Sequence, residues 1–156
     1  MSKSLKLSVG LLSAVLFAAE GPWVGTWKLD SAKSTKSAAP KASKESTITI
    51  RELGDRIIEV AFKGTRNDGT PVSGKYTVSL DGGPNTYLEG GPPAGVSATT
   101  KKIDERNSVI TTTRDGREIG VNHVALGEDG KTFTANMKGL DGEGKPFNVV
   151  EVYGKQ

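Results

Sequence analysis

Residues 57–80 read IIEVAFKGTRNDGTPVSGKYTVSL, and the alternation inside this stretch decides the fold class. Ile58, Val60 and Phe62 recur at every second position, with Glu59 between them. Val72, Tyr76, Val78 and Leu80 share one face, opposite Ser73, Lys75, Thr77 and Ser79. A period of two sends successive side chains to opposite sides of an extended chain, so each run reads as a half-buried strand. Glu59 is thereby expected to face water. Between the runs, Asn67-Asp68-Gly69 supplies residues that tolerate the positive φ a tight reversal needs.

The same unit recurs outward in both directions. Alternating runs are expected at 23–29, 46–52, 57–64, 72–80, 85–89, 96–103, 108–114, 118–126, 132–138 and 147–153. Leu53-Gly54-Asp55, Asp115-Gly116, Glu128-Asp129-Gly130 and Gly142-Glu143-Gly144 punctuate them. Short connections make sequential strands antiparallel neighbours, giving an all-β antiparallel meander. About ten strands are expected to close into a barrel, which removes exposed edges, and a two-sheet sandwich is the competing architecture. The strands 96–103 and 108–114 are rich in Thr and poor in large apolar groups, so one wall of the interior is expected to be loosely filled. A repeat at an offset of 75 residues pairs Lys63-Gly64 with Lys138-Gly139, Gly69 with Gly144 and Pro71 with Pro146.

The amino terminus has a different character. Lys3 and Lys6 precede the uncharged run LSVGLLSAVLFAA at 7–19, which ends on Ala18 and Ala19. That order is the signature of a signal peptide, so residues 1–19 are expected to direct export and 20–156 to form one domain. The run is too short to span a bilayer, and no stable membrane insertion is expected. The chain has no cysteine, which excludes lipidation after the apolar run, disulfides and thiolate metal sites. The whole chain has 21 Lys+Arg and 18 Asp+Glu; removing Lys3 and Lys6 leaves 19 against 18. A nearly neutral domain lacks the basic footprint of a nucleic-acid binder.

Two irregular segments stand out. Residues 31–44 (SAKSTKSAAPKASK) form a Ser/Ala/Lys-rich stretch, and 81–95 contain Gly82-Gly83-Pro84 and Gly90-Gly91-Pro92. Connections of this length in a small domain tend to be either functional or mobile, and these two are long enough to form the mouth of a barrel. No Gly-x-Ser-x-Gly or Ser-x-x-Lys sequence supplies a nucleophile. One histidine and no cysteine make no ordinary zinc site, and no cofactor or metal is expected.

Gly25-Thr26-Trp27 opens the first strand, a long connection follows, and then a meander. This Gly-x-Trp arrangement resembles the lipocalin and fatty-acid-binding group of barrels. Trp23-Val-Gly-Thr-Trp-Lys-Leu-Asp, Asp129-Gly130-Lys131-Thr132, Lys138-Gly139 and the ending Val152-Tyr153-Gly154-Lys155-Gln156 resemble, more closely, a family of small secreted lipocalin-like proteins of soil bacteria such as acidobacteria. The resemblance implies that Trp27 plugs one end of the barrel. In lipocalins a basic side chain of the last strand packs across this tryptophan. That partner does not transfer cleanly, because the last strand here has no Arg and Lys155 lies near the chain end.

The expected function is binding of a small, largely apolar molecule in a barrel cavity, with Trp27, Tyr76, Tyr87, His123, Phe133 and Glu151 as the lining residues. Two rivals are an extracellular structural or interaction domain with a filled core, and a small isomerase- or hydrolase-like barrel using His123 or Glu151 with Tyr76. His123 is placed on a face with Ile119, Val121 and Ala125, and Glu151 on a face with Phe147, Val149 and Tyr153. Intact-mass measurement of protein exported from a bacterial host should give a chain beginning within a few residues of Ala19; a full-length mass including Met1 would count against the signal peptide.

Overall fold

Residues 57–79 form a hairpin in the computed structural model, which describes residues 21–35 and 42–156. The expected signal peptide and residues 36–41 of the Ser/Ala/Lys-rich segment lie outside the described residues. Eleven strands are present among those described: β1 (Gly25–Leu29), β2 (Ser43–Gly54), β3 (Ile57–Arg66), β4 (Pro71–Ser79), β5 (Asp81–Pro84), β6 (Thr86–Glu89), β7 (Val96–Lys102), β8 (Asn107–Arg114), β9 (Arg117–Leu126), β10 (Thr132–Leu140) and β11 (Pro146–Lys155). All belong to one antiparallel sheet in the order β5-β7-β8-β9-β10-β11-β1-β2-β3-β4-β6. The architecture is a nearly closed barrel rather than a sandwich.

Closure depends on the one strand that local sequence does not announce. Residues 81–84 pair with β7, while residues 86–89, just past Asn85, pair with β4. The two edges of the sheet are therefore the two halves of a single segment. The Asn85 amide donates to Ala98 O at 2.8 Å, the Lys102 amide donates to Leu80 O at 3.3 Å, and Arg56 reaches Asp81 at 2.6 Å. The expected loop at 81–95 thus begins as β5. Gly82 stands at φ 91° and Pro84 lies on the edge of the sheet, where a missing amide hydrogen costs no ladder bond.

The 75-residue offset marks two hairpins with the same turn. In one, the Arg66 amide donates to Thr70 O at 2.9 Å and the Gly69 amide to Arg66 O at 2.9 Å. In the other, the Asp141 amide donates to Lys145 O at 2.9 Å and the Gly144 amide to Asp141 O at 3.1 Å. The glycines ahead of each turn are also equivalent. A side chain at Gly64 would collide with the Glu45 carbonyl, and one at Gly139 with the Ile119 carbonyl. Each glycine admits the neighbouring strand where its hairpin bends.

One end of the barrel is solidly filled. Trp27 is fully buried, and its Nε1 donates to Trp23 O at 2.9 Å. Phe133 meets it edge-on at 5.0 Å between ring centres and stacks on Tyr153 at 4.7 Å. Trp23 crosses this end, 5.9 Å from Phe133, and donates its own Nε1 to Glu105 O at 3.0 Å. Ile50, Val60, Val78, Leu126 and Ala135 complete the cluster. Lys155 does supply the basic partner: its Nζ lies 5.2 Å from the centre of the Trp27 ring and donates to Pro22 O at 3.4 Å. The pairing of Trp27 with Lys155 across β1 and β11 brings them together, so a lysine near the chain end reaches the ring.

Register also corrects the expected faces of β9. Phe133 pairs with Leu126 and Ala135 with Val124, so even-numbered β9 residues face the interior. His123, expected inward with Val121 and Ala125, is exposed on the outer surface. Replacing Trp27 by Ala should cost about 3–5 kcal/mol in chemical denaturation, the range for removing a core aromatic. A loss below about 1 kcal/mol, typical of a surface change, would mean that the filled end does not depend on this residue.

Candidate functional site

The inner face beyond the packed cluster is lined by smaller or more widely spaced side chains. Thr112 and Ile110 of β8 and Ala98 of β7 form the wall that the sequence marks as poorly filled. Opposite them stand Tyr76 of β4, Phe62 of β3 and Tyr87 of β6. Between these surfaces lies a cavity of about 400 Å³, also bordered by Asn85, Asn122, Met137 and Phe147. Tyr76 packs between two rings, 5.4 Å from Tyr87 and 6.4 Å from Phe62.

The polar groups at this cavity are few. The Thr100 hydroxyl, on a buried residue, donates to Asn85 Oδ1 at 3.4 Å. Asn122 Oδ1 is buried and has no hydrogen-bond partner. A buried acceptor without a donor costs roughly 1–3 kcal/mol, and Asn136 Oδ1 is in the same state. Burial, and after it the neighbouring Tyr87, pushes the Tyr76 hydroxyl up to about 12. Burial also raises Tyr87, against an opposing hydrogen bond with Asn85.

A second cavity, of about 430 Å³, opens beside β11 and is lined by Leu29, Ser31, Ser34, Thr35, residues 42–45, Asn67, Val149 and Glu151. Backbone bonds build its wall. The Asp30 amide donates to Val152 O at 2.8 Å, the Thr35 amide to Val150 O at 2.7 Å, and the Val152 amide to Ser34 Oγ at 2.9 Å. The 30–35 segment is thereby held against β11 past the end of β1. Glu151 faces inward, and its Oε2 accepts a hydrogen bond from the Tyr153 hydroxyl at 2.8 Å. Burial, then the Glu151 charge, holds Tyr153 well above its ordinary value. The two linings meet where Val149 pairs with Met137.

The six expected lining residues therefore occupy four places. Tyr76 and Tyr87 border the first cavity and Glu151 the second. Trp27 and Phe133 belong to the packed end, and His123 is outside. Glu151 is bonded to Tyr153, not to Tyr76, and His123 cannot share an interior site with either. Asn122 was not among the expected residues; its place follows from counting two positions back from Val124, once Leu126 is known to face Phe133. Glu59 points outward and pairs with Arg51, whose hydrogen bond lowers its pKa. Among the described residues, no three His, Asp or Glu side chains converge on a metal site.

No family model and no curated protein matches the chain. Solved structures do. The fluorescent protein UnaG superposes with a TM-score of 0.58 at 15% identity, covering 86% of this chain and 97% of that one. Two single-residue mutants of UnaG give 0.58 and 0.57, also at 15% identity, covering 86% and 85% of this chain and 96% and 95% of theirs. At that identity the likeness is one of fold, a β-barrel of the lipocalin and fatty-acid-binding type.

All three tyrosines of the chain face the interior, and all three are raised above 10.0. The folded protein therefore keeps phenolic protons that the unfolded chain has already lost. This contribution to stability is complete below about pH 10 and is lost as pH rises through the folded values, toward about 12 for Tyr76. An absorbance titration should find little phenolate in the folded protein at about pH 10, where an unperturbed tyrosine is half ionised. Half-ionisation of the folded protein at that pH would contradict the inward placement.

Proposed function

We propose that this protein is an exported binding protein that holds one small, largely apolar molecule in its barrel. The observation that carries the reading is the cavity of about 400 Å³ beside the packed core. Its size lies in the range of small-molecule sites, and its composition, mainly apolar and aromatic with a few polar groups, fits one. Tyr76 and Tyr87 offer flat surfaces. Export is inferred from residues 1–19. A filled structural domain would have no reason to leave Ala98, Thr112 and Gly120 around empty space. A barrel enzyme using His123 is disfavoured by the outward position of that side chain.

Micromolar affinity corresponds to about 8 kcal/mol. Burial at roughly 25 cal/mol per Å² can supply this only if little is spent on ordering the site. Tyr76, held between two rings, meets that requirement. An environment-sensitive apolar dye titrated into the mature protein should saturate at one site with micromolar affinity. Tyr76→Ala should weaken binding about tenfold while preserving the far-ultraviolet spectrum, since an aromatic contact with its buried area is worth on the order of 1–2 kcal/mol. If no compound from a broad apolar panel binds below about 100 μM, a weak affinity of roughly 5.5 kcal/mol, the reading fails.

A further inference from the structure

We infer that the ligand is a cation: an aromatic or apolar body carrying a protonated amine that is recognised by Glu151. This inference rests on the binding reading above and names its substrate class. Among the described residues, the charged side chains lining the two cavities are Lys44, Glu45, Glu151 and Lys138. Lys44, Glu45 and Lys138 are exposed and stand at the rim, whereas Glu151 is half-buried on the inner face. The other inward-facing cations are committed elsewhere or sit outside the cavities. Lys155 lies over Trp27 and bonds Pro22 O, and Lys102 pairs with Glu105 at 2.7 Å. Arg66 is half-buried at the end of β3 and lines neither cavity.

A long-chain carboxylate would therefore meet linings whose one half-buried charge, among the described residues, is negative, with no half-buried cation in either lining to receive it. Its desolvation would go uncompensated, and Glu151 would repel it. An ammonium reverses both terms. Tyr153 occupies Oε2 of Glu151, but an ionised carboxylate accepts about four hydrogen bonds, so the group keeps capacity for a second donor. The Tyr153 bond also fixes the carboxylate in orientation, which reduces the ordering cost of binding. The rings of Tyr76, Tyr87 and Phe62 present π-faces that suit an aromatic body, and tolerate positive charge nearby.

Three probes of matched shape test this on the mature protein: naphthylmethylamine, naphthylmethanol and naphthoate, each titrated at neutral pH. The amine should bind about tenfold tighter than the alcohol, the size of one charge-assisted hydrogen bond, and naphthoate should bind most weakly. Glu151→Gln should bring the amine to within about twofold of the alcohol and leave the alcohol unchanged. Naphthoate equal to or tighter than the amine overturns the inference, as does an undiminished amine preference in Glu151→Gln. Should that variant fail to fold, the ranking of the three probes on the unmodified protein decides alone. Binding of the alcohol without preference for the amine overturns only the inference; absence of binding by all three overturns the binding reading with it.

Discussion

The contact between Trp27 and Phe133 divides the barrel into two halves with different tasks. Trp27 arrives from β1 and Phe133 from β10, and their edge-on packing at 5.0 Å ties together strands on either side of β11. Tyr153 stacks on the far face of Phe133, and Lys155 lies over the indole. A chain without disulfides has to obtain its stability from such packing. Concentrating the large side chains at one end supplies it without filling the whole interior. Interiors pack like organic solids, so the filled end is rigid, and the residues above it hang from a fixed frame.

What remains above that frame is an open cavity with small or slender groups along one wall. Ala98 and Thr112 of adjacent strands and Gly120 of β9 leave room that Tyr76, Tyr87 and Met137 do not fill. The polar features there are unevenly distributed. Among the described residues Glu151 is the one half-buried charge of the two linings, while Lys155 and Lys102 are engaged at the closed end. The wall that carries Glu151 is completed by the 30–35 segment, whose backbone bonds hold it against β11 beyond Leu29.

Much of this was legible in sequence, for a physical reason. Strands with one buried face must alternate, and the runs around Val60, Val78 and Phe133 announce both their extent and their inner faces. The Thr-rich runs likewise announce the hollow wall, because a β-branched hydroxyl residue packs a strand without filling a core. Strand β5 was not legible: Gly82-Gly83-Pro84 reads locally as a chain breaker, and its pairing with β7 arises from the need to close the sheet. The inner face of β9 was ambiguous because Val121 and Val124 make both faces apolar; only the pairing of Leu126 with Phe133 resolves it, turning His123 outward and Asn122 inward. Val150 and Val152 made the direction of Glu151 equally ambiguous until the burial of Tyr153 two positions on fixed it. The Lys155 partner of Trp27 was discounted for its position near the chain end, yet register, not distance from the end, determines what lies across a strand.

The central claim is that one half of the interior is filled and the other hollow, and a matched pair of substitutions measures it most directly. Ala98 and Ala135 are both buried and both face inward, Ala98 at the cavity and Ala135 within the packed cluster. Chemical denaturation of Ala98→Phe should show a loss under about 1 kcal/mol, because the ring enters empty space, whereas Ala135→Phe should cost several kcal/mol, at or above the usual range of roughly 1–3 kcal/mol for overpacking. Equal losses at the two positions would contradict a divided interior.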